Sequence, residues 1–380
     1  MFRTPLLPIA PVPAPASVKP LQEKPGRRWA HLPRSRLRRL LFLGVYLVFC
    51  ATLVYAGEKL FWNIYAGVPF GATADIWDQY YPIVRTSGVH DVHPRHSDDR
   101  FDVLLLGGSA LTVGWGNIES LLADKLREEL NDRFRIFNLA FPAHSSRDSV
   151  LKYSRLPREQ FELVVVYDGF NDVRLNCVPR DQFRDDYTHV AWYRAMQQQF
   201  KTGSTKFPNE IVKEMFKTMP LGSIDNAFID EGRDIKTEKP FLLNIETIVE
   251  TAAKRGDKVL LLTYAYDVPA DYTSERFGQG AMAYGRRPDH GTGLGVDSWG
   301  RPANVVAAVD IHNAVLRRIT REHSNVLLVD EQELIPKQQN LFLDPCHLTD
   351  EGCRQFVDNL WPAVAKRIAD WKAARARTAR

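Results

Sequence analysis

The residues most suggestive of chemistry lie near the C-terminus, in the stretch LFLDPCHLTDEG (residues 341–352). Asp344 precedes His347 by three residues, and a carboxylate beside an imidazole can orient a general base and stabilise it once it is protonated. The Thr-Asp-Glu that follows is explained by the start of a helix, with Thr349 as its N-cap. A helix start does not explain the Asp-Pro-Cys-His before it. The sequence therefore predicts a base whose nucleophile lies elsewhere in the chain.

A candidate nucleophile occurs in GGSALTVGWG, where Ser109 lies in a glycine-flanked turn that leads towards a helix. Glycines let the backbone bend sharply, and a helix N-terminus favours developing negative charge. Gly-Gly-Ser turns are common, so this turn alone does not define a nucleophile. A histidine that removes the hydroxyl proton would make Ser109 reactive towards an acyl group.

A third group occurs in YDGFNDVRLN, which places Asn171 in a Gly-x-Asn-Asp sequence after an apolar run. An Asn amide at this place can donate a hydrogen bond to an oxyanion. An Asx turn is the alternative interpretation, because Asn and Asp are the usual residues of such turns. Taken by itself, the turn is the better explanation.

Five apolar runs precede or flank these groups and are predicted to be strands. The runs are continuous rather than alternating, as expected for strands covered on both faces. They are FDVLLLG (101–107), FRIFNLA (134–140), FELVVVY (161–167), DKVLLLT (257–263) and SNVLLVD (324–330), with predicted helices at 117–131, 145–156, 240–256, 302–323 and 349–374. This alternation predicts a three-layer α/β/α fold with a five-stranded parallel sheet, whose carboxyl edge gathers the reactive groups.

Two connections are much longer than usual for such a fold, at 173–239 and 264–300. Both follow strand ends, so we interpret them as substrate-binding insertions, with ordinary surface excursions as an equally good explanation. The first contains aromatic residues that can stack on sugar rings, although packing of the insertion's own core is the favoured interpretation; they are Phe183, Tyr187, Trp192 and Tyr193.

Ser, a backbone turn, Asn and Asp-x-x-His occur in the order found in the SGNH hydrolases, also called the GDSL esterase/lipase superfamily. The sequence resembles this superfamily over residues 101–170 and 324–360. The resemblance implies a fold related to flavodoxin and a serine esterase that needs no cofactor and no metal.

The resemblance also implies a role for individual residues. Ser109 would be the nucleophile, His347 the general base and Asp344 its orienting partner. The oxyanion hole would comprise the backbone N–H of Ser109, a backbone N–H in the block NLAFPAHSSRD at Ala143, and the side chain of Asn171.

Two positions depart from the superfamily pattern. Gly108 stands where the first block usually has an acidic residue, and Ala143 stands where the second block usually has glycine. A backbone N–H survives a change from glycine to alanine, provided that φ is negative at Ala143. A positive φ would put the position of this donor, and with it activity, in doubt.

The N-terminal region predicts a membrane anchor. The net charge of +4 divides into +8 over residues 1–39 and −4 over 40–380, so the body is not expected to bind nucleic acid. Residues 1–39 are rich in proline and arginine and are predicted to be a disordered cytoplasmic tail. Residues 40–57 carry no charge and are predicted to span the bilayer once, with a buried core helix and a cleavable signal peptide as alternatives.

The positive-inside rule then places the remaining chain outside the cytoplasm, in the periplasm. Residues 58–100 are predicted to be a stalk, and 101–374 the hydrolase domain. Three cysteines lie beyond the span, so at most one pair can form within the chain. The pairs considered are Cys177–Cys346 and Cys346–Cys353.

The remaining histidines do not predict a metal site, because no His-Glu-x-x-His or Cys-x-x-Cys spacing accompanies them. His144 is interpreted as a solvated loop residue beside the second block, and the others are scattered, at His290, His312 and His323.

These observations predict a membrane-anchored serine esterase that forms an acyl-enzyme on Ser109. Its expected partners are the lipid bilayer and an ester or acylated carbohydrate, with O-acyl groups of a surface polysaccharide as the substrate suggested by the compartment. An O-acyltransferase with the same site is one alternative. A catalytically silent polysaccharide-binding module is another, which Gly108 and Ala143 keep open. The sequence does not predict an oligomeric state.

Overall fold

The structure, a computed structural model, describes residues 34–89, 98–156, 161–203, 225–285 and 293–378. The chain divides into two compact units, Met1–Tyr55 and Ala56–Arg380. Most of the predicted disordered tail and His290 lie outside the described residues.

Each predicted strand and each long predicted helix is present, and the strand boundaries agree with the predictions within two residues. The strands are β1 (Phe101–Gly107), β2 (Phe134–Asn138), β3 (Leu163–Tyr167), β4 (Val259–Leu262) and β5 (Val326–Val329). The α-helices are α1 (Arg34–Ala66), α2 (Ile76–Tyr80), α3 (Pro82–Thr86), α4 (Ile118–Leu130), α5 (Ser146–Ser154), α6 (Phe170–Val173), α7 (Ala191–Thr202), α8 (Glu238–Arg255), α9 (Ser274–Gly278), α10 (Pro302–Glu322), α11 (Glu331–Leu334) and α12 (Asp350–Thr378). Short 3₁₀ segments occur at Ser109–Leu111, Arg174–Asn176, Asn226–Arg233, Val296–Ser298 and Gln339–Leu341.

The five strands form one parallel sheet in the order β2-β1-β3-β4-β5. Successive side chains of β1 point to opposite faces, so Val103 and Leu105 enter one core whereas Leu104 and Leu106 enter the other. Helices α4 and α12 cover the first face, and α5 and α8 cover the second. The predicted three-layer α/β/α fold is confirmed, and the carboxyl edge of the sheet remains available for functional groups.

Helix α1 is longer than the predicted span of 40–57, because it continues to Ala66. Its stretch Ser35–Ala66 is long and apolar enough to be a candidate membrane span. Within the second unit, Tyr80, Tyr81 and Val84 are buried in the core that also contains α5 and α8. Part of the segment predicted to be a stalk therefore belongs to the folded unit.

The described parts of both insertions contribute buried side chains to the two cores. Tyr187, Trp192 and Tyr193 join the core beneath α5 and α8, which agrees with the packing role favoured from the sequence. Residues 204–224 and 286–292 of these insertions lie outside the described residues.

All four cysteines are free thiols, so neither predicted bridge is present. Cys177 lies beside the carbonyl of Trp299, 3.6 Å from its oxygen. Cys346 instead contacts the imidazole of His347, with its sulfur 3.4 Å from Nδ1. The two thiols occupy different surroundings because the strand ends that carry them do not bring their side chains together.

Candidate active site

Ser109, His347 and Asp344 form one continuous hydrogen-bonded chain. Ser109 Oγ lies 2.7 Å from His347 Nε2, and His347 Nδ1 lies 2.8 Å from Asp344 Oδ2. A carboxylate only accepts hydrogen bonds, so Nδ1 carries the proton and Nε2 presents its lone pair to the serine hydroxyl. This is the tautomer that a general base requires.

The Asp-Pro-Cys-His stretch is a turn that Asp344 closes with its own side chain. Asp344 Oδ1 accepts the backbone N–H groups of Cys346 and His347, each at 2.9 Å. The turn is closed again by Leu343, whose N–H donates to the carbonyl of His347 at 2.7 Å. An aspartate three residues before a histidine can therefore fold the turn and contact the imidazole at the same time, which is the physical reason for this spacing.

Asp344 is fully buried yet remains ionised. Burial raises the pKa of its carboxyl, but the neighbouring His347 and the backbone N–H groups outweigh that effect and hold the pKa below its usual value. A further N–H comes from Leu294, which donates to Oδ2 at 3.1 Å. The carboxylate thus stays available to stabilise an imidazolium.

Trp115 covers one face of the imidazole. The ring centroids of Trp115 and His347 are 4.3 Å apart and the rings are inclined by 26°. An aromatic face attracts a cation, so this contact favours the imidazolium that forms when the serine proton is taken up. Trp115 was not expected at the site from its sequence position, although it lies only six residues after Ser109 in the same glycine-rich block.

The Asn171 amide reaches the backbone beside the serine. Its Nδ2 donates to the carbonyl of His144 at 2.8 Å, and its Oδ1 accepts from Trp299 Nε1 at 3.0 Å. The second N–H of the amide has no acceptor in the part of the chain that the structure describes. Ser109 begins a one-turn helix, so its own N–H has no acceptor within that helix. Two donors are therefore available close to the serine.

Gly108 allows this approach. A Cβ added to Gly108 would lie 2.6 Å from Asn171 Nδ2 and 3.2 Å from the His144 carbonyl oxygen. Any side chain here would push the amide away from the serine. The glycine that departs from the usual pattern is thus the residue that the local packing requires.

Ala143 has a φ of +63°, which is the positive case named in the sequence analysis. The chain keeps a left-handed conformation there, despite a cost of roughly 1–2 kcal/mol for a residue with a Cβ. The cost is met by the surrounding contacts: Phe141 donates to the Gly107 carbonyl at 3.2 Å, and the His144 carbonyl accepts the Asn171 amide. The backbone conformation open to glycine is therefore present with alanine.

His144 is buried rather than solvated, which corrects the sequence interpretation. Its Nδ1 lies 3.0 Å from Lys152 Nζ, and the same ammonium donates to the Leu139 carbonyl at 2.6 Å. Burial lowers the pKa of His144 to about 3, so the ring stays neutral and accepts from the lysine. This contact anchors the loop whose carbonyl holds Asn171.

Asp172 has a structural role in the Gly-x-Asn-Asp sequence. Its Oδ2 accepts the backbone N–H of Ser146 at 3.0 Å at the start of α5, and its Oδ1 accepts the hydroxyl of Tyr187, also at 3.0 Å. Burial raises its pKa to about 6. His312 is likewise structural, since it bonds the Gly169 carbonyl and the Thr237 hydroxyl.

Within the described residues, one group of metal-binding type comprises Asp344, Cys346 and His347, whose ligand atoms lie within 4.8 Å of one another. Burial raises the pKa of the Cys346 thiol well above its usual value, so it stays protonated, whereas a metal ligand must be a thiolate. The imidazole and carboxylate are already bonded to each other. This arrangement fits a proton relay better than a metal centre.

The chain was compared with known proteins at three levels. No protein-family model matches it, and no curated protein matches its sequence. Solved structures to which it is similar include a GDSL-like lipase from Bacteroides thetaiotaomicron, at 14% identity and a TM-score of 0.40, covering 76% of this chain and 98% of that one.

A lipase/acylhydrolase from Enterococcus faecalis is similar at 14% identity and a TM-score of 0.37, over 70% of this chain and 96% of that one. An acetyl xylan esterase from Geobacillus stearothermophilus is similar at 13% identity and a TM-score of 0.36, over 70% and 93%. Lipases, acylhydrolases and esterases are thus among the structures that this chain resembles. Because all three TM-scores are below 0.5, the functional argument depends on the residues of the site.

Proposed function

We propose that this protein is a serine ester hydrolase of the SGNH type that acts through an acyl-enzyme on Ser109. The observation that carries the proposal is the 2.7 Å contact between Ser109 Oγ and His347 Nε2, continued to the ionised Asp344. A serine that only packs in a core has no use for an oriented base of this kind.

The steps follow from the positions of the groups. As Oγ attacks the ester carbonyl carbon, its proton passes to Nε2, and Asp344 stabilises the resulting imidazolium. The carbonyl oxygen becomes negative and is stabilised by the N–H groups of Ser109 and Ala143 and by the Asn171 amide. Nε2 then gives its proton to the departing alcohol oxygen. Water, deprotonated by the same nitrogen, releases the acid and restores Ser109.

The proposed substrates are O-acyl groups on a polysaccharide at the cell surface. The support is the N-terminal helix α1, which is preceded by a basic tail, so the hydrolase unit is proposed to lie outside the cytoplasmic membrane, in the periplasm. A full chain carrying a reporter after Arg380 tests this orientation. Activity of a reporter that works only in the cytoplasm would contradict it.

A fluorophosphonate probe tests the chemistry, because it reacts with a serine only when a base and an oxyanion hole activate it. We expect one adduct on Ser109, none in Ser109→Ala, and unchanged labelling in Ser120→Ala, whose serine is exposed on α4. Absence of labelling in the wild-type protein would favour the silent binding module. Hydrolysis of p-nitrophenyl acetate, measured with and without added oligosaccharides, distinguishes an esterase from an O-acyltransferase. Faster release of p-nitrophenol together with an acylated sugar product would indicate acyl transfer.

A further inference from the structure

One short segment contacts both the base side and the oxyanion side of the site. Residues 293–299 lie between β4 and α10, within the second insertion. Leu294 donates its N–H to Asp344, and the indole of Trp299 donates to Asn171 Oδ1 at 3.0 Å. The backbone of this segment lies close to Asp344, because a Cβ added to Gly293 would lie 2.7 Å from Asp344 Cβ.

The contacts of Asn171 leave only one orientation for its amide. An indole N–H can only donate, so the atom that faces Trp299 must be the oxygen. A carbonyl can only accept, so the atom that faces His144 must be the nitrogen. Trp299 and His144 therefore require the same orientation of the amide, which directs its NH₂ group to the side where Gly108 and Ser109 lie.

We propose that Trp299 is a positioning residue that fixes the Asn171 amide with its donor towards the oxyanion. The inference deepens the proposed esterase function and depends on it. If the amide turned over, an oxygen would face the developing negative charge, and the donor would be replaced by a repulsive acceptor. Trp299 is held in place itself, since it is 1% exposed and its ring meets Phe170 edge-on at 4.9 Å.

The test removes the indole N–H and keeps an aromatic ring. In Trp299→Phe we expect kcat for p-nitrophenyl acetate to fall by about five- to twentyfold with little change in KM, because one orienting hydrogen bond is lost. The matched control is Trp371→Phe, which also removes a buried indole. Its Nε1 has no hydrogen-bond partner within the described residues, and it lies in α12. The control should keep its kcat.

A double mutant separates positioning from general destabilisation. Once Asn171 is alanine there is no amide to orient, so adding Trp299→Phe should lower kcat by less than about twofold. A full additional loss in the Asn171→Ala background would overturn the proposal. An unchanged kcat in Trp299→Phe would also overturn it.

Folding failure of the phenylalanine variant is avoided by a second replacement. Benzothienylalanine at position 299 keeps the shape of the indole and has sulfur in place of the N–H. It should reproduce the loss in kcat, and full activity would refute the role of the N–H. Ser109→Ala tests the esterase function separately: if this variant still turns over substrate, the esterase assignment fails. If Ser109→Ala is inactive but both variants at position 299 are fully active, only the role of Trp299 is refuted.

Discussion

Replacing Gly108 by alanine is expected to remove one donor of the proposed oxyanion hole, the Asn171 amide, while leaving Ser109, His347 and Asp344 unchanged. The new Cβ would lie 2.6 Å from Asn171 Nδ2, whereas ordinary van der Waals contact begins at 3.4 Å. The backbone on the other side is also close, with the His144 carbonyl oxygen at 3.2 Å. The amide is therefore the group that must move.

The size of the effect follows from that displacement. A shift of about 0.8 Å would lengthen a normal hydrogen bond of about 2.9 Å to about 3.7 Å, which is no longer a hydrogen bond. Loss of one oxyanion donor lowers kcat by about 10²–10³. We expect Gly108→Ala to reach that range, with KM for p-nitrophenyl acetate nearly unchanged because the donor acts mainly in the transition state.

The assay compares Gly108→Ala with Asn171→Ala and with the combined variant. Both single changes remove the same donor, so the double variant should be little worse than either one. Gly278→Ala is the matched control, since a Cβ at Gly278 meets no atom within 4 Å. If Gly108→Ala retained more than about a tenth of the wild-type kcat, Asn171 would not be an oxyanion donor of the usual strength.

Three further predictions have defined outcomes. Ser109→Ala and His347→Ala should each remove most turnover, and the double variant should be no slower in kcat, because a serine and its base act as a unit; additive losses would contradict the pairing. Trp115→Leu keeps a cover over the imidazole without an aromatic face, and should lower kcat by about five- to tenfold at constant KM; equal rates would show that the stack does not assist catalysis. Burial raises the pKa of Glu331 to about 8 from 4.5, so the folded state holds a proton that the unfolded state releases, and stability should fall as the pH rises from about 4.5 to 8. Glu331→Gln should flatten this slope and raise Tm at pH 8.5, and thermal unfolding with an unchanged slope would refute it.

The sheet was predictable because its strands are unbroken apolar runs, which only strands buried on both faces need. Asp344 and His347 were predictable for a similar reason, since a local turn links their spacing to their contact. In both cases the pattern that supports the prediction lies within one short stretch of the chain. Both the sheet and the contact between Asp344 and His347 can therefore be predicted from local sequence.

Several other contacts were not predictable from a local pattern of this kind. Trp299 meets Asn171 across 128 positions of the chain, and no periodicity relates them. His144 was expected to be a solvated loop residue, yet it is buried and its Nδ1 lies 3.0 Å from Nζ of Lys152 on the next helix. The burial of Tyr80, Tyr81 and Val84 was not predictable, because α2 and α3 are too short to show a helical pattern.

The left-handed backbone at Ala143 has a consequence for how such sites are recognised. The backbone dihedral angles set the direction of a main-chain N–H. Two different residue types can therefore direct it to the same place when neighbouring contacts compensate for the strain. At Gly108 the residue type itself is decisive, because a Cβ there would collide with the Asn171 amide. Patterns of residue types record neither property. Templates built from donor positions and torsion angles would find such sites where the residue types differ from the usual pattern.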